Sequence, residues 1–392
     1  MQAATRRGAV RHVEGTLWAF VLYFLRLGTL GFGGPIALVG LMEQELVEAR
    51  GWITSQEYKE GLALAQLAPG PLAAQLAMYL GWVRARALGA TLVGFAFVGP
   101  SFLMVLGLSD LYVRFGGLPW LQGLFYGIGA AVIAVIGRSV LKLARITLGR
   151  DRLIWALFIV SAVVTAWTES EIIWLFLLSG LIPTLVRGRW SGGAAPAFVF
   201  APFIPRVAPS PVTAASAGVL WKIFAYFAGA GLFVFGSGLA IVPFLYGGVV
   251  QRFHWLTERQ FIDAVAVSMV TPGPVVITVA FIGYLVAGLS GAVLAAIGVF
   301  MPVYLVTLLL APHFHRVATN RHVKAFVDGV TAAATGAIAG AAVILGRRSL
   351  VDFPTTLIAV GTLALLVAPK RIPEPVLILA AGVVGLALWS AS

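Results

Sequence analysis

Apolar runs long enough to cross a membrane follow one another along almost the whole chain. A transmembrane helix needs about 20 mostly apolar residues. Only 11% of the 392 residues are charged, whereas soluble domains have roughly 25%, so much of the apolar surface must face lipid. We predict an all-α polytopic membrane protein of about 12–13 membrane segments, several broken by Gly or Pro. The recognisable segments lie near 16–42, 61–83, 87–113, 118–141, 153–168, 171–187, 218–250, 262–285, 287–311, 323–346, 354–369 and 374–391.

The second half of the chain repeats the first. Residues 32–74 align without a gap to residues 235–277, and both stretches contain a Trp-x-Thr and a Pro-Gly-Pro at the same separation. Internal repeats are typical of secondary transporters, whose substrate sites lie at the interface of the repeats. We predict two homologous helical halves: an N-terminal repeat over 1–187 and a C-terminal repeat over 218–392, joined by a Pro-, Gly- and Ala-rich linker over 188–217.

Basic residues predict that the two repeats have opposite orientations, because cytoplasmic loops carry an excess of Lys and Arg. A cytoplasmic N-terminus places Arg84, Arg86 and the basic stretch 138–152 inside. The second repeat obeys the rule only when inverted, and its predicted cytoplasmic loops then hold Arg252, Arg259, Arg316, Arg321, Lys324, Lys370 and Arg371. Inversion requires an odd number of crossings before residue 218, which the linker or a hairpin among the fifth and sixth segments must supply. The expected location is a bacterial inner membrane, with the N-terminus in the cytoplasm.

The paired Pro-Gly-Pro motifs are the most informative chemical feature. An interior proline costs a helix roughly 3 kcal/mol, so the second segment of each repeat is predicted to break there. The second proline suits the first position of a new half-helix, whose N-terminus has free N–H groups and partial positive charge. A simple kink is the alternative, but a symmetric pair favours an anion site. The predicted substrate-binding residues here are Pro69, Gly70, Pro71, Pro272, Gly273 and Pro274.

Two further features extend the predicted site. Glycines upstream of each Pro-Gly-Pro allow unwound backbone close to a ligand, although they also suit tight helix packing. These positions are Gly31, Gly33 and Gly34 in the first repeat, and Gly236, Ser237 and Gly238 in the second. Arg26 lies in the first apolar segment, and its guanidinium suits tetrahedral oxyanions. The alternative for Arg26 is a side chain that reaches back to the lipid headgroups.

An acidic pair occupies matching positions in the two repeats. Glu60 and Asp263 stand near the start of the segments that carry Pro-Gly-Pro. They are candidates for proton coupling, or they complement the helix dipole.

Several classes of function are excluded by what the sequence lacks. It has no cysteine and no nucleotide-binding or hydrolase motif, so we expect no enzyme, no metal site and no cofactor. The net charge of +12 comes without a nucleic-acid-binding motif, so we expect the lipid bilayer, and not nucleic acid, as the partner of the basic loops. A homodimer is among the assemblies that the sequence allows.

Several motifs resemble those of the chromate ion transporter family. They are Phe24 and Gly28 with Gly31-Phe-Gly-Gly-Pro35, Trp52-Ile-Thr with Glu57 and Tyr58, and Ala68-Pro-Gly-Pro71. The resemblance covers most of 16–145 and 218–346, and it includes the duplication. It implies two domains of opposite orientation and export of chromate, coupled to the proton gradient, with sulfate as a similar anion. The second repeat departs from the first motif, since no proline follows Gly238.

The sequence thus predicts a secondary transporter that exports chromate from the cytoplasm and confers chromate resistance. With a negative-inside potential, expulsion of an anion is favoured by about 2.3 kcal/mol per charge per 100 mV, whereas uptake needs a coupling ion. The alternatives are an importer of sulfate or another oxyanion, and a passive anion channel.

Overall fold

The computed structural model describes residues 15–32, 34–169, 173–188, 217–232, 234, 238–314, 320–368 and 372–389. These residues form helices and short turns, without strands. The α-helices are α1 Leu17–Leu30, α2 Gly34–Met42, α3 Ser55–Leu67, α4 Leu72–Phe115, α5 Pro119–Thr147, α6 Arg152–Thr168, α7 Ile173–Gly188, α8 Ala217–Leu232, α9 Ile241–Leu245, α10 Glu258–Val270, α11 Thr278–Leu310, α12 Arg321–Ser349, α13 Phe353–Val367 and α14 Glu374–Trp389. Short π-helical segments, Glu43–Ala49 and Tyr246–Arg252, extend α2 and α9.

The first apolar segment of each repeat is a re-entrant hairpin. α2 runs back beside α1. Two contacts show this: the Tyr23 hydroxyl donates to the Leu41 carbonyl at 3.4 Å, and Gly15 packs on Trp52. In the second repeat the Tyr226 hydroxyl of α8 donates to the Phe244 carbonyl of α9 at 2.7 Å. The prediction that these segments cross the membrane is therefore wrong.

The second apolar segment of each repeat is also a hairpin, with Pro-Gly-Pro at its tip. A capping box between Thr54 and Glu57 begins α3, which has 13 residues and is roughly 20 Å long. After Pro-Gly-Pro, residues 72–84 return beside α3, so that Gly61 faces Tyr79. α10 and residues 278–286 repeat this arrangement. The predicted helix break is present at Pro-Gly-Pro, but the segment does not continue across as a broken crossing: Gly70 and Gly273 adopt positive φ (141° and 96°), and the chain turns back.

A second sharp reversal follows each of these hairpins. The helical backbone is interrupted at Ala85 and Arg86 in α4, and at the equivalent positions in α11. Glycines let the two arms touch: a Cβ on Gly81 would lie 2.5 Å from the carbonyl oxygen of Gly89. The remaining arms, 87–115 and 289–310, are roughly 40 Å and 30 Å long and cross the membrane. α5 and α12 are the other two helices of the described chain with the length and composition of full spans.

Two hydrogen bonds establish that the repeats are inverted. Thr91, early in the crossing arm of α4, bonds the Tyr304 hydroxyl late in α11 at 2.7 Å. Asp110, late in α4, accepts from Tyr284, which precedes the crossing arm of α11, at 3.0 Å. Equivalent helices of the two repeats therefore run antiparallel, as the distribution of basic residues predicted.

The two membrane faces can be told apart by their contacts. We call side A the face where the Arg84 guanidinium bonds the Gly15 carbonyl. Side B is the opposite face, where Arg259 of α10 donates to the Gln122 carbonyl of α5 at 3.2 Å. α7 ends on side A, where Thr184 lies beside His322, whereas α8 begins on side B. The predicted linker between them lies almost wholly outside the described residues.

Arg252 and Arg259 stand on side B, opposite the predicted cytoplasmic face. Their loop follows a hairpin and not a crossing, so the chain has not changed sides there.

The repeats exchange helices instead of forming separate bundles. α5 packs on α13 and α14 of the other repeat, and α12 packs on α6 and α7. Both contacts rest on glycines at equivalent positions: Gly127 faces the Ala381 carbonyl, and Gly329 faces the Ser179 carbonyl. The described helices thus form a hairpin bundle (α1–α4 and α8–α11) and an outer bundle (α5–α7 and α12–α14), each built from both repeats.

Thermal stability tests the close packing of α5 on the helices of the other repeat. In Gly127→Ala the new methyl would lie 2.0 Å from the Ala381 carbonyl oxygen, so we expect a loss of about 1–3 kcal/mol and a lower Tm in detergent. Gly137→Ala is the matched control on the same helix, because nothing lies within 4 Å of its added Cβ, and we expect its Tm to be unchanged or higher. Equal melting of the two variants would contradict the packing described.

Candidate functional site

The hairpin tips of the two repeats meet in the middle of the hairpin bundle. The Gly70 N–H donates to the Val234 carbonyl at 2.5 Å, and the equivalent Gly273 N–H donates to the Gly31 carbonyl at 3.0 Å. Each Pro-Gly-Pro tip therefore bonds the first hairpin of the opposite repeat. These two hydrogen bonds are related by the pseudo-two-fold symmetry of the repeats. They bring together the turns of all four hairpins, two from each repeat.

Side chains hold the first proline carbonyl of each tip. Gln75 Nε2 donates to the Pro69 carbonyl, and Ser101 Oγ donates to the Pro272 carbonyl, both at 2.7 Å. Neither tip has room for a side chain at its glycine. A Cβ on Gly273 would lie 1.9 Å from Ser101 Oγ, and one on Gly70 would lie 2.7 Å from Gln75 Nε2.

The first repeat presents unpaired donors at its tip. α4 begins at Leu72, directly after Pro71, whose side chain makes no capping hydrogen bond. The N–H groups of Leu72, Ala73 and Ala74 are buried and find no acceptor among the described residues. They point toward the tip with the partial positive charge of a helix N-terminus, an arrangement suited to an anion. In the second repeat a 3₁₀ turn, Val275–Ile277, takes the place of this helix start.

A polar face leads from side A to the first tip. Gln56, Lys59 and Gln66 of α3 are exposed, and Glu60 is half-buried, accepting from Gln56 at 2.8 Å. Gln66 lies about three turns into α3, and an exposed polar side chain at membrane depth is expensive against lipid, so we infer that this face lines a crevice open to water. α3 touches α12 of the outer bundle only lightly.

The equivalent face of α10 is closed. Residues 261–269 are all buried, because α10 packs on α5 and α14. Asp263, the counterpart of Glu60, is only 4% exposed and accepts from the Tyr112 hydroxyl at 2.7 Å. Asp263 and Tyr112 line a cavity of about 160 Å³ together with Gln122, Arg259 and Gln260.

Ion pairs connect the helices of the two bundles on side B. Arg348, at the end of α12, pairs with Glu258 of α10 and with Glu169 at the end of α6. Arg259 lies over the Trp389 ring, 5.9 Å from its centre. The contacts between the two bundles are therefore tighter on side B than on side A, and we infer that the tips are reached from side A.

The predicted site residues are only partly brought together. Gly31, Gly70 and Gly273 meet at the tips, with the prolines that flank the latter two. Gly34 begins α2 and Gly238 begins a 3₁₀ turn before α9. Arg26 lies on the exposed face of α1 and has no ion pair or hydrogen bond within the described part of the chain. Gly33, Gly236 and Ser237 lie outside the described residues.

Sequence reasoning missed the roles of three polar residues. These residues are Gln75, Ser101 and Tyr112. Ser101 follows Pro100, which aligns with Pro302, and that alignment was the available signal. The alignment of the repeats does not point to Tyr112, because the equivalent residue in the second repeat is Phe314.

Comparison with known proteins agrees with this architecture. The chromate transporter family model matches twice, at residues 18–184 and 221–386. The chain belongs to the chromate transporter family. It is 56% identical to a chromate transport protein of Cupriavidus metallidurans, over 95% of this chain and 94% of that protein. It is 53% identical to a probable chromate transport protein of Synechococcus elongatus, over 97% of both.

A more distant relative also matches most of the chain. Identity is 34% to a chromate transport protein of Pseudomonas aeruginosa, over 92% of this chain and 90% of that protein. No solved structure shows significant similarity to the chain. Family membership establishes a multi-pass membrane transporter with two homologous halves.

Thiol labelling tests the open and closed sides, since the chain has no cysteine of its own. We expect Gln66→Cys to react with a small polar maleimide applied from the side that labels Arg150→Cys, because both face side A. Arg252→Cys marks side B. Met269→Cys, at the equivalent position on the hairpin that starts from side B, is the matched control, and we expect it to stay unlabelled from side B. Equal labelling of the Gln66 and Met269 variants would contradict the asymmetry.

Proposed function

We propose that this transporter exports chromate from the cytoplasm through the bacterial inner membrane and thereby confers chromate resistance. The observation that carries the proposal is the polar face of α3, which leads from side A to buried, unpaired N–H groups at the first Pro-Gly-Pro tip. Membership in the chromate transporter family, and the chromate transport that the names of the three relatives describe, supply the choice of anion.

The basic residues support side A as the cytoplasmic face. Among the described residues, side A holds more Lys and Arg than side B, as the positive-inside rule requires. Those on side A include Arg50, Arg84, Arg86, Lys142, Arg145, Arg150, Arg152, Arg321 and Lys324, against Arg114, Lys222, Arg252, Arg259, Arg347 and Arg348 on side B. The N-terminus is then cytoplasmic, and the structure is open to the cytoplasm.

The membrane potential favours the outward direction. Each negative charge that leaves a negative-inside cell gains about 2.3 kcal/mol per 100 mV. An importer of the same anion would have to overcome this energy with protons or sodium. A crevice that opens to the cytoplasm provides the loading state of an exporter.

In the proposed binding site, backbone donors and one charge hold the oxyanion. The tip prolines and glycines, Pro69 to Pro71 and Pro272 to Pro274, set the backbone geometry, and the glycines at 31, 34 and 238 allow the backbone of the opposite hairpins to approach closely. Arg26 would supply the positive charge. Sulfate is a tetrahedral anion of the same shape, and backbone donors alone would distinguish it poorly from chromate.

Vesicle flux tests this function. In everted membrane vesicles we expect saturable chromate uptake. Arg26→Ala should raise the KM roughly ten- to hundredfold, through loss of a charge-assisted contact. Pro71→Ala should reduce uptake, because it lets the helix continue through the tip. Arg145→Ala, an exposed cation outside the site, is the control.

Each alternative function predicts a different result. Normal expression of the wild type without chromate uptake would refute chromate export. Uptake that does not saturate would favour the channel, and sulfate uptake by intact cells would favour an importer.

Proton coupling is assigned to the acidic pair. Glu60 faces the open crevice and Asp263 is sealed beside Tyr112, so one carboxylate of the pair is accessible in each orientation of the transporter. A proton taken up on side B while chromate leaves would then drive export.

A pH gradient tests this coupling. We expect an acid lumen to accelerate chromate uptake by everted vesicles, and Asp263→Asn to abolish that acceleration, because an amide cannot take up and release a proton. Uptake driven by the potential alone should persist in this variant. Asp110→Asn, which alters a carboxylate paired with Arg114 on the adjacent helix α4, is the control. Full acceleration in Asp263→Asn would exclude Asp263 from the coupling.

A further inference from the structure

Gln75 carries a buried acceptor that is not satisfied. The residue is 0% exposed, and its Nε2 donates to the Pro69 carbonyl at 2.7 Å. Its Oε1 is buried and has no hydrogen-bond partner among the described residues. Such an atom costs about 1–3 kcal/mol when it stays unpaired. The bond to Pro69 fixes the amide, because exchanging its oxygen and nitrogen would place two acceptors together.

This acceptor lies within one helical turn of the unpaired donors. Leu72, Ala73 and Ala74 present buried N–H groups at the start of α4, while the N–H of Gln75 itself bonds the Pro71 carbonyl. The Gln75 amide folds over the tip, so that a Cβ on Gly70 would lie 2.7 Å from its Cδ. The tip therefore offers several donors and one acceptor, which suits an anion that has both bare oxygens and a hydroxyl group.

The second repeat does not reproduce this arrangement. Thr278 stands at the position equivalent to Gln75. Its hydroxyl bonds the Ser268 hydroxyl at 2.6 Å and the Val275 carbonyl at 2.7 Å. Because Thr278 is satisfied by its own hairpin, the mixed set of donors and acceptor exists only once in the described chain.

We propose that the tip of the first repeat binds the oxyanion in its singly protonated form, with the hydroxyl of that anion donating to Gln75 Oε1. This inference rests on the proposed transport of chromate and specifies the species recognised. A fully deprotonated oxyanion brings only acceptors and leaves Gln75 Oε1 facing a negative oxygen. Chromate takes up a proton close to neutral pH, whereas sulfate does so only in strong acid. Gln75 thus separates two anions that backbone donors alone distinguish poorly.

The pH dependence of chromate affinity tests the proposal. Initial uptake is measured in everted vesicles at equal pH on both sides and at a fixed potential. For the wild type we expect the KM for total chromate to rise roughly tenfold per pH unit once the hydrogen form is the minor species. A KM that stays constant across the alkaline range would overturn the proposal while leaving chromate transport intact. Absence of uptake at every pH would instead refute the proposed function, and this inference with it.

Two variants distinguish recognition of the protonated anion by Gln75 from a general effect of losing a hydrogen bond at a Pro-Gly-Pro tip. Gln75→Met keeps the length of the side chain but has no oxygen, so we expect its KM to lose the steep pH dependence. Ser101→Ala removes the analogous bond to the other tip and should keep that dependence, whatever its maximal rate. A steep dependence in Gln75→Met would assign the titration to another group and overturn the proposal.

Competition on the wild type needs no variant. At neutral pH, phosphate and arsenate carry a hydroxyl, whereas sulfate and selenate do not. We expect phosphate to inhibit chromate uptake at a lower concentration than sulfate. Stronger inhibition by sulfate would overturn the proposal.

Discussion

Where a helix is interrupted inside a membrane, its free peptide groups need hydrogen-bond partners, and in this protein each repeat supplies such partners to the other. An unpaired peptide group in hydrocarbon costs several kcal/mol. The hydrogen bonds from Gly70 to Val234 and from Gly273 to Gly31 satisfy groups that neither repeat can satisfy alone. The hairpins of one repeat are therefore stable at the midplane only because the inverted hairpins of the other repeat reach the same point. Duplication with inversion is the condition for this site.

The exchange of helices between repeats decides which parts can move. Gly127 and Gly329 bring helices of opposite repeats into backbone contact, so the N-terminal and C-terminal repeats cannot separate as two rigid bodies. Movement instead has to occur between the hairpin bundle and the outer bundle. That boundary is tight around α10 and loose around α3, as expected where one access path is closed and the other is open.

The sequence predicted the class, the duplication, the inversion and the helix breaks at Pro-Gly-Pro, because each of these depends on local composition or on an alignment of the chain with itself. It did not predict that four apolar segments are hairpins. A run of apolar residues has the same appearance whether it crosses a membrane or turns back in the middle, and the positive φ of Gly70 and Gly273 is not visible in the residue type. For the same reason Arg252 and Arg259 were assigned to the wrong face.

The departures from symmetry carry the most information about mechanism. A protein with two perfectly equivalent halves would have to be equally open or closed on both sides. Here Asp263 is buried and accepts from Tyr112 of the opposite repeat, whereas Glu60 is half-buried and interacts with Gln56 and Tyr79 of its own hairpin. The residue equivalent to Tyr112 is Phe314, which has no hydroxyl. The two closed states are therefore held by different contacts and have different free energies. The contacts on side B include hydrogen bonds and ion pairs with a titratable carboxylate, whereas on side A Phe314 already lies beside Leu64 and Leu67 of α3 and makes an apolar contact. Protonation thus acts unequally on the two states, and such a difference between states is what any coupling of proton movement to anion export requires.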